Sequence, residues 1–257
     1  MRLDSLKKAL LVMLLIGAVG TATALDTSNL KMYCWLGEGT GGLFGHVEGN
    51  SRFNDFFLHA AKITDTKIDL RPSKQTILNE IKDADVIYAN THAGCTEKGT
   101  PRMIIKTGEA DGPENEITAQ EIKDLYQNAS HLPTLIIING CKTLAECGDN
   151  ALKINDAFQI ARNTTGRAYI GFDKAVTGGC GDSFFRIFFA QWTSTPYPTL
   201  AEARNRTIAF FSKELPEGQK FLDPGAWILP GCPPKKIGEM MSIIGDKGLT
   251  FDQLAGA

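Results

Sequence analysis

Two short runs constrain this chain more than anything else in it: DVIYANT at 85–91 and LIIIN at 135–139. Each is a nearly continuous apolar stretch of strand length, the pattern of a central parallel strand covered on both faces. Such a strand needs neighbours on either side and helices above and below. The rest of the sequence supplies them. Lys31–Leu36 reads as a first strand, Thr66–Leu70 as a second closed by Pro72, and Ala168–Phe172 as a fifth. Arg52–Lys62 carries Phe53, Phe56, Phe57 and Ala60 at helical spacing. Lys74–Lys82 follows the N-cap candidate Ser73 and sets Ile77, Leu78 and Ile81 on one face. Thr118 with Glu121 forms a capping box that opens a helix to Gln127, and a hairpin is expected around Met103–Lys106. Further helices are expected near Asp156–Arg162 and over Asp182–Trp192 and Leu200–Glu214, with a last short strand at Ala226–Leu229. Phe184, Phe185, Phe188, Phe189 and Trp192 recur at helical spacing and read as a core face. Strands alternating with helices predict an α/β fold with a mostly parallel sheet, in one domain spanning 25–257.

The first 24 residues stand apart from that pattern. Arg2, Lys7 and Lys8 precede the apolar run Ala9–Val19, and Ala22-Thr23-Ala24 supplies a small-residue cleavage signature. The run is shorter than the roughly 20 residues a membrane span needs, so it predicts a cleaved leader, a secreted or cell-surface protein and no membrane span in the mature chain; a retained N-terminal anchor is the alternative. Export makes disulfides admissible among the six cysteines, Cys34, Cys95, Cys141, Cys147, Cys180 and Cys232. Their spacing contains no zinc pattern. Cys141 paired with Cys147 is one admissible bridge. If one cysteine is a free nucleophile, at least one other must also stay unpaired. Asn128, Asn163 and Asn205 begin N-glycosylation sequons. A formal net charge of -2 gives no electrostatic reason to expect nucleic acid as a partner.

In a parallel sheet, ligands bind beyond the carboxyl ends of the strands. His92 directly follows the first apolar run and Cys141 lies two residues past the second, so parallel strands would deliver both to one edge. A thiol beside an imidazole is the minimal machinery of thiol-dependent acyl chemistry, because the base favours the nucleophilic thiolate. Gly94 and Gly140 permit close backbone approach, and the N–H groups of Ala93, Gly94 and Cys141 are candidate oxyanion donors. His131 precedes the second run and belongs at the opposite edge, His46 lies in the glycine-rich loop after the first strand, and His59 falls on a helix. Gly37-x-Gly39-x-x-Gly42 lacks the helix that a dinucleotide fingerprint requires directly after it, so no nucleotide is expected.

The blocks DVIYANTHAG and TLIIINGCKT resemble those of caspase-like (clan CD) cysteine peptidases, in which one hydrophobic block ends in His-Gly and another in a small residue and Cys. TAQEIKDL, GRAYIGF, TLAEARNRTIAFF and AWILPG extend the resemblance over roughly 85–231, nearest in pattern to CHAT and clostripain-like members. The resemblance implies a three-layer α/β/α sandwich and an endopeptidase acting on protein or peptide substrates without a cofactor, with His92 as base and Cys141 as nucleophile. This chain has Ala93 before Gly94 where the family has Gly directly after His, and Asn139 where clostripain-like members carry the Asp that receives basic residues. Asp173, after the fifth strand, is another candidate charge for the substrate. The alternative is a disulfide-stabilised surface or interaction domain that keeps the fold without the reaction; a further one is another thiol-dependent acyl transferase or hydrolase on the same scaffold.

Overall fold

A computed structural model describes residues 25–37, 62–95, 103–106, 113–147, 151–176, 178–212 and 234–256. The expected leader, the expected helix Arg52–Lys62 apart from Lys62 itself, the expected strand over 226–229, His46 and His59 lie outside them. The strands of the main sheet are β1 (Lys31–Leu36), β2 (Asp65–Leu70), β3 (Val86–Asn90), β7 (Leu135–Asn139), β8 (Ala168–Phe172) and β9 (Met241–Gly245). They lie in the order β2-β1-β3-β7-β8-β9, all parallel except β9, which pairs antiparallel with β8. A second, antiparallel sheet joins β4 (Ala93–Cys95), β5 (Met103–Lys106) and β6 (Glu116–Thr118). The expected hairpin at Met103–Lys106 is thus the middle strand of three.

The period of two along each strand divides the core into two layers. Met32, Cys34, Val86, Tyr88, Leu135, Ile137, Ala168 and Ile170 face one way, toward α4 (Gly178–Trp192), α5 (Leu200–Ser212), α6 (Pro234–Met240) and α7 (Phe251–Ala255). Tyr33, Trp35, Ile87, Ala89, Ile136, Ile138 and Tyr169 face the other, toward α1 (Lys74–Glu80), α2 (Ala119–Tyr126) and α3 (Ile154–Ala157). The result is a three-layer α/β/α sandwich whose central strands β3, β7 and β8 are buried at every position. The aromatic stripe of α4 is core, as its spacing requires: Phe184, Phe185, Phe188, Phe189 and Trp192 are fully buried.

Local signals placed the helix starts. The Ser73 side chain accepts the Thr76 N–H, and Thr118 and Glu121 close their capping box reciprocally. Glu121 also pairs with Lys74, joining the first turns of α1 and α2. Burial acts to raise the Glu121 carboxyl, but the Lys74 ammonium and the Thr118 donors outweigh it and hold the group below its usual range. A depressed folded-state value means the contribution is complete above the unfolded value of about 4.3 and lost as pH falls through the carboxylate range. Glu121→Gln, which keeps the box but removes the charge, is expected to cost a few tenths of a kcal/mol at pH 7. Its urea midpoint should approach that of the parent as the pH falls below the usual carboxylate range.

Beyond α6, β9 and α7, which the sequence reading did not include, two helices differ in their bounds. The helix expected near Asp156–Arg162 is the shorter α3, ended where Gln159 turns left-handed at φ +57°. Arg167 then donates to the carbonyl oxygens of Phe158, Gln159 and Pro133, capping the broken turn from a distance. At the other end, α4 begins at Gly178, ahead of the expected Asp182.

Candidate active site

β3 and β7 are adjacent parallel strands with Asn90 opposite Asn139. The pairing continues one step further, where the Thr91 N–H donates to the Asn139 carbonyl oxygen at 3.1 Å. His92 is two residues past Asn90 and Cys141 two past Asn139, so both leave neighbouring strands at the same offset from one rung. Neighbouring strands lie about 4.8 Å apart. The structure therefore brings His92 and Cys141 to one rim of the sheet. His131 sits at the other rim, its Nε2 3.1 Å from the Ala84 carbonyl oxygen and 3.5 Å from Asp85 Oδ1 at the start of β3.

Gly140 is what lets the two segments approach. A Cβ there would lie 2.7 Å from the Thr91 carbonyl oxygen and 3.1 Å from Ala93 Cβ. Thr91 and Ala93 flank His92, so this contact holds the segment that carries His92 against the segment that carries Cys141. Gly37 packs against Thr91 in the same way, with a Cβ position 2.4 Å from its Oγ1, while its N–H donates to the Asn90 carbonyl oxygen.

The turn that carries Cys141 is tied to the end of β8. Lys142 N–H donates to the Lys174 carbonyl oxygen and Leu144 N–H to that of Phe172, both at 3.0 Å. The hydroxyl of Thr143, fully buried, accepts the Phe172 N–H at 2.9 Å. Lys142, next to the candidate nucleophile, is held at φ +54°, a conformation that costs a non-glycine residue about 1 kcal/mol or more and persists only where the surroundings impose it. Cys141 Sγ is half-buried and lies against Val176, accepting its N–H at 3.4 Å and donating to its carbonyl oxygen at 3.3 Å. His92 is exposed. Thr143 and Val176 carried no signal in the sequence, because each acts through a backbone meeting between distant segments.

The remaining candidates are distributed around this rim. Ala93 and Gly94 begin β4, where Gly94 adopts φ +156° opposite Ile104. Asp173 is exposed just past β8. Asn139 instead points into the core: it is 1% exposed, its amide donates to the Tyr88 hydroxyl at 3.4 Å, and Gly181 of α4 packs directly upon it. Its side chain supports the first turns of α4 from below the rim.

Cys95 and Cys147 form a disulfide, so the Cys141–Cys147 bridge admissible from the sequence does not form. Cys141 and Cys34 are free. Cys34 is fully buried in β1, and burial pushes its thiol far up. Iodoacetamide applied to the folded protein without reductant is expected to modify Cys141 and spare Cys34, which should react only after denaturation; peptide mass mapping distinguishes the two. Among the described residues no group of three His, Cys, Asp or Glu could hold a metal ion, and no helix is long and apolar enough to cross a membrane.

No protein-family model matches the chain, and no curated protein matches it by sequence. Solved structures do match. The complex of the Porphyromonas gingivalis RgpB pro- and mature domains superposes at a TM-score of 0.53 with 12% identity, covering 90% of this chain and 51% of that one. The Arg-specific cysteine proteinase gingipain R superposes at 0.52 with 11% identity, covering 87% and 50%. The fold is caspase-like. At this identity the likeness concerns architecture alone, and the chain spans about half the length of the structures it matches. Within the caspase-like sandwich, the rim that carries His92 and Cys141 is the carboxyl edge of the parallel strands, where α/β sheets place their ligands.

Proposed function

We propose that this chain is an exported cysteine endopeptidase that hydrolyses peptide bonds through His92 and Cys141. The observation that carries the reading is the common offset of the two residues from the Asn90–Asn139 rung on adjacent parallel strands. In the reaction, the His92 imidazole takes the Cys141 thiol proton and the sulfur attacks the scissile carbonyl carbon. The N–H groups of Cys141 and of the Ala93–Gly94 segment stabilise the oxyanion. The tetrahedral intermediate collapses to a thioester as His92 returns the proton to the leaving amine, and water then releases the acid with His92 again as base. For this the sulfur must leave its contacts with the Val176 backbone. The exposed His92 and half-buried Cys141 suit a substrate arriving from solvent. Asn139, beneath α4, offers no carboxylate to a basic substrate residue, whereas Asp173 lies exposed at the end of β8.

A positional-scanning fluorogenic peptide library tests the reading. The expected result is cleavage with a defined preference at the residue before the scissile bond, blocked by prior alkylation of Cys141. If basic residues are preferred there, Asp173→Asn should weaken that preference. Absence of cleavage across the library, with Cys141 free to alkylate, would overturn the proposal. The contact of Cys141 Sγ with both backbone groups of Val176 favours a second reading, a non-catalytic interaction domain in which the thiol is a packing group. In that case alkylation of Cys141 would not depend on His92.

A further inference from the structure

The Asn90–Asn139 rung fixes the two candidate segments where they leave the sheet, and a second tie fixes them again further out. Cys95, three residues past His92, is bonded to Cys147, six residues past Cys141, with the Cα atoms 5.2 Å apart. His92 and Cys141 therefore lie on two spans that share both anchors, a hydrogen-bonded rung at the base and a covalent bond at the far end. The bond joins positions 52 apart in sequence and adds a covalent tie beyond the packing of Gly140 on Thr91 and Ala93. Cys147 is 4% exposed and follows the turn already pinned to β8, which makes it the fixed end. Cys95 ends β4, whose partner β5 belongs to the small side sheet and not to the main one. Ile105 of β5 and Ile117 of β6 anchor the small sheet in the core, and the disulfide fixes the far end of β4 against the Cys141 turn.

We propose that Cys95 and Cys147 are positioning residues for the His92–Cys141 pair, their bond holding the two loops at the separation from which imidazole reaches sulfur. The inference rests on the peptidase reading above. Displacements of about 1 Å between reacting groups cost on the order of a hundredfold in rate, so a tether at this place acts on chemistry as well as on stability.

The test is the rate of Cys141 alkylation by iodoacetamide in the full chain, resolved by peptide mass, with and without His92→Ala. In the parent protein His92→Ala is expected to slow Cys141 by about a hundredfold. In the Cys95→Ser/Cys147→Ser double variant the same substitution should change the rate by less than about threefold, the scale of independent sites. Leu254→Ala, in the core on the α7 side, serves as a control of lowered stability and should keep the full dependence on His92. Should the double variant fail to fold, the parent is measured after reduction with a water-soluble phosphine. The phosphine gives up two electrons and becomes its oxide, and water supplies the oxygen and the two protons of the new thiols. The same loss of His92 dependence is expected. Full dependence on His92 without the bond would overturn the inference and leave the peptidase reading intact. No dependence on His92 in the parent would overturn both.

Discussion

Peptide hydrolysis is expected to disappear in Cys141→Ala and to fall by about a thousandfold in His92→Ala, with folding unaffected in both. The two losses differ because the two groups do different work. Without the sulfur there is no atom to form the thioester, so the rate should drop to background, at least about 10⁴-fold. Without the imidazole the sulfur remains, and the residual thiol can still attack, but proton transfer is lost in both halves of the reaction; that contribution is typically about 10² to 10⁴. Both side chains lie at the rim and outside the two core layers, so thermal midpoints should stay close to the parent value. The double variant should be no slower than Cys141→Ala alone, because the base has nothing to activate once the nucleophile is gone. Measuring kcat/KM for the three variants and their melting curves decides the matter. A His92→Ala enzyme as fast as the parent would remove the base from the mechanism.

Much of this arrangement was legible because its signals are local. The boundaries of β7 and β8 agree with the runs LIIIN and AYIGF, since a strand buried on both faces leaves a nearly unbroken apolar signature. Ser73 and the Thr118–Glu121 box marked their helices for the same reason. What was not legible depends on partners far away in sequence. β9 follows α6 with no intervening turn residues, alternates buried and half-buried positions, and owes its place to antiparallel pairing with β8. The short α3 runs into a turn that Arg167 caps by reaching back to the carbonyl oxygens of Phe158 and Gln159. Disulfide connectivity is not encoded by spacing, so Cys147 found Cys95 and not the closer Cys141. At the rim the sequence placed His92 and Cys141 on one edge, because parallel strands end on the same side, and the ladder that pairs Asn90 with Asn139 agrees. The orientation of Cys141 Sγ toward Val176 depends on how the chain after β8 folds back over the turn, and no local pattern specifies that.

Gly140→Ala is expected to be the most damaging single methyl that can be added at the rim. Its Cβ would lie 2.7 Å from the Thr91 carbonyl oxygen, and that oxygen is backbone, so no side-chain rotation relieves the clash. Ala93 Cβ at 3.1 Å and Thr143 Cγ2 at 3.4 Å close the other directions, and Thr143 is itself fully buried and bonded to Phe172. The methyl can therefore be accommodated only by moving the 91–93 segment away from the 139–141 segment. Overpacking of this kind costs about 1–3 kcal/mol, and a displacement near 1 Å between base and nucleophile costs a further factor of about a hundred in rate. Gly166→Ala separates the two effects. Gly166 has open space at its Cβ position but a φ of +70°, and it lies before β8 at the opposite end of the sheet. Alanine there should cost about 1–2 kcal/mol through backbone strain alone. Assayed well below their melting temperatures, Gly166→Ala should retain parent activity while Gly140→Ala loses about 99% of it, the fraction left by a hundredfold fall. Equal activities for the two would mean that the contact between Gly140 and Thr91 does not set the distance between His92 and Cys141.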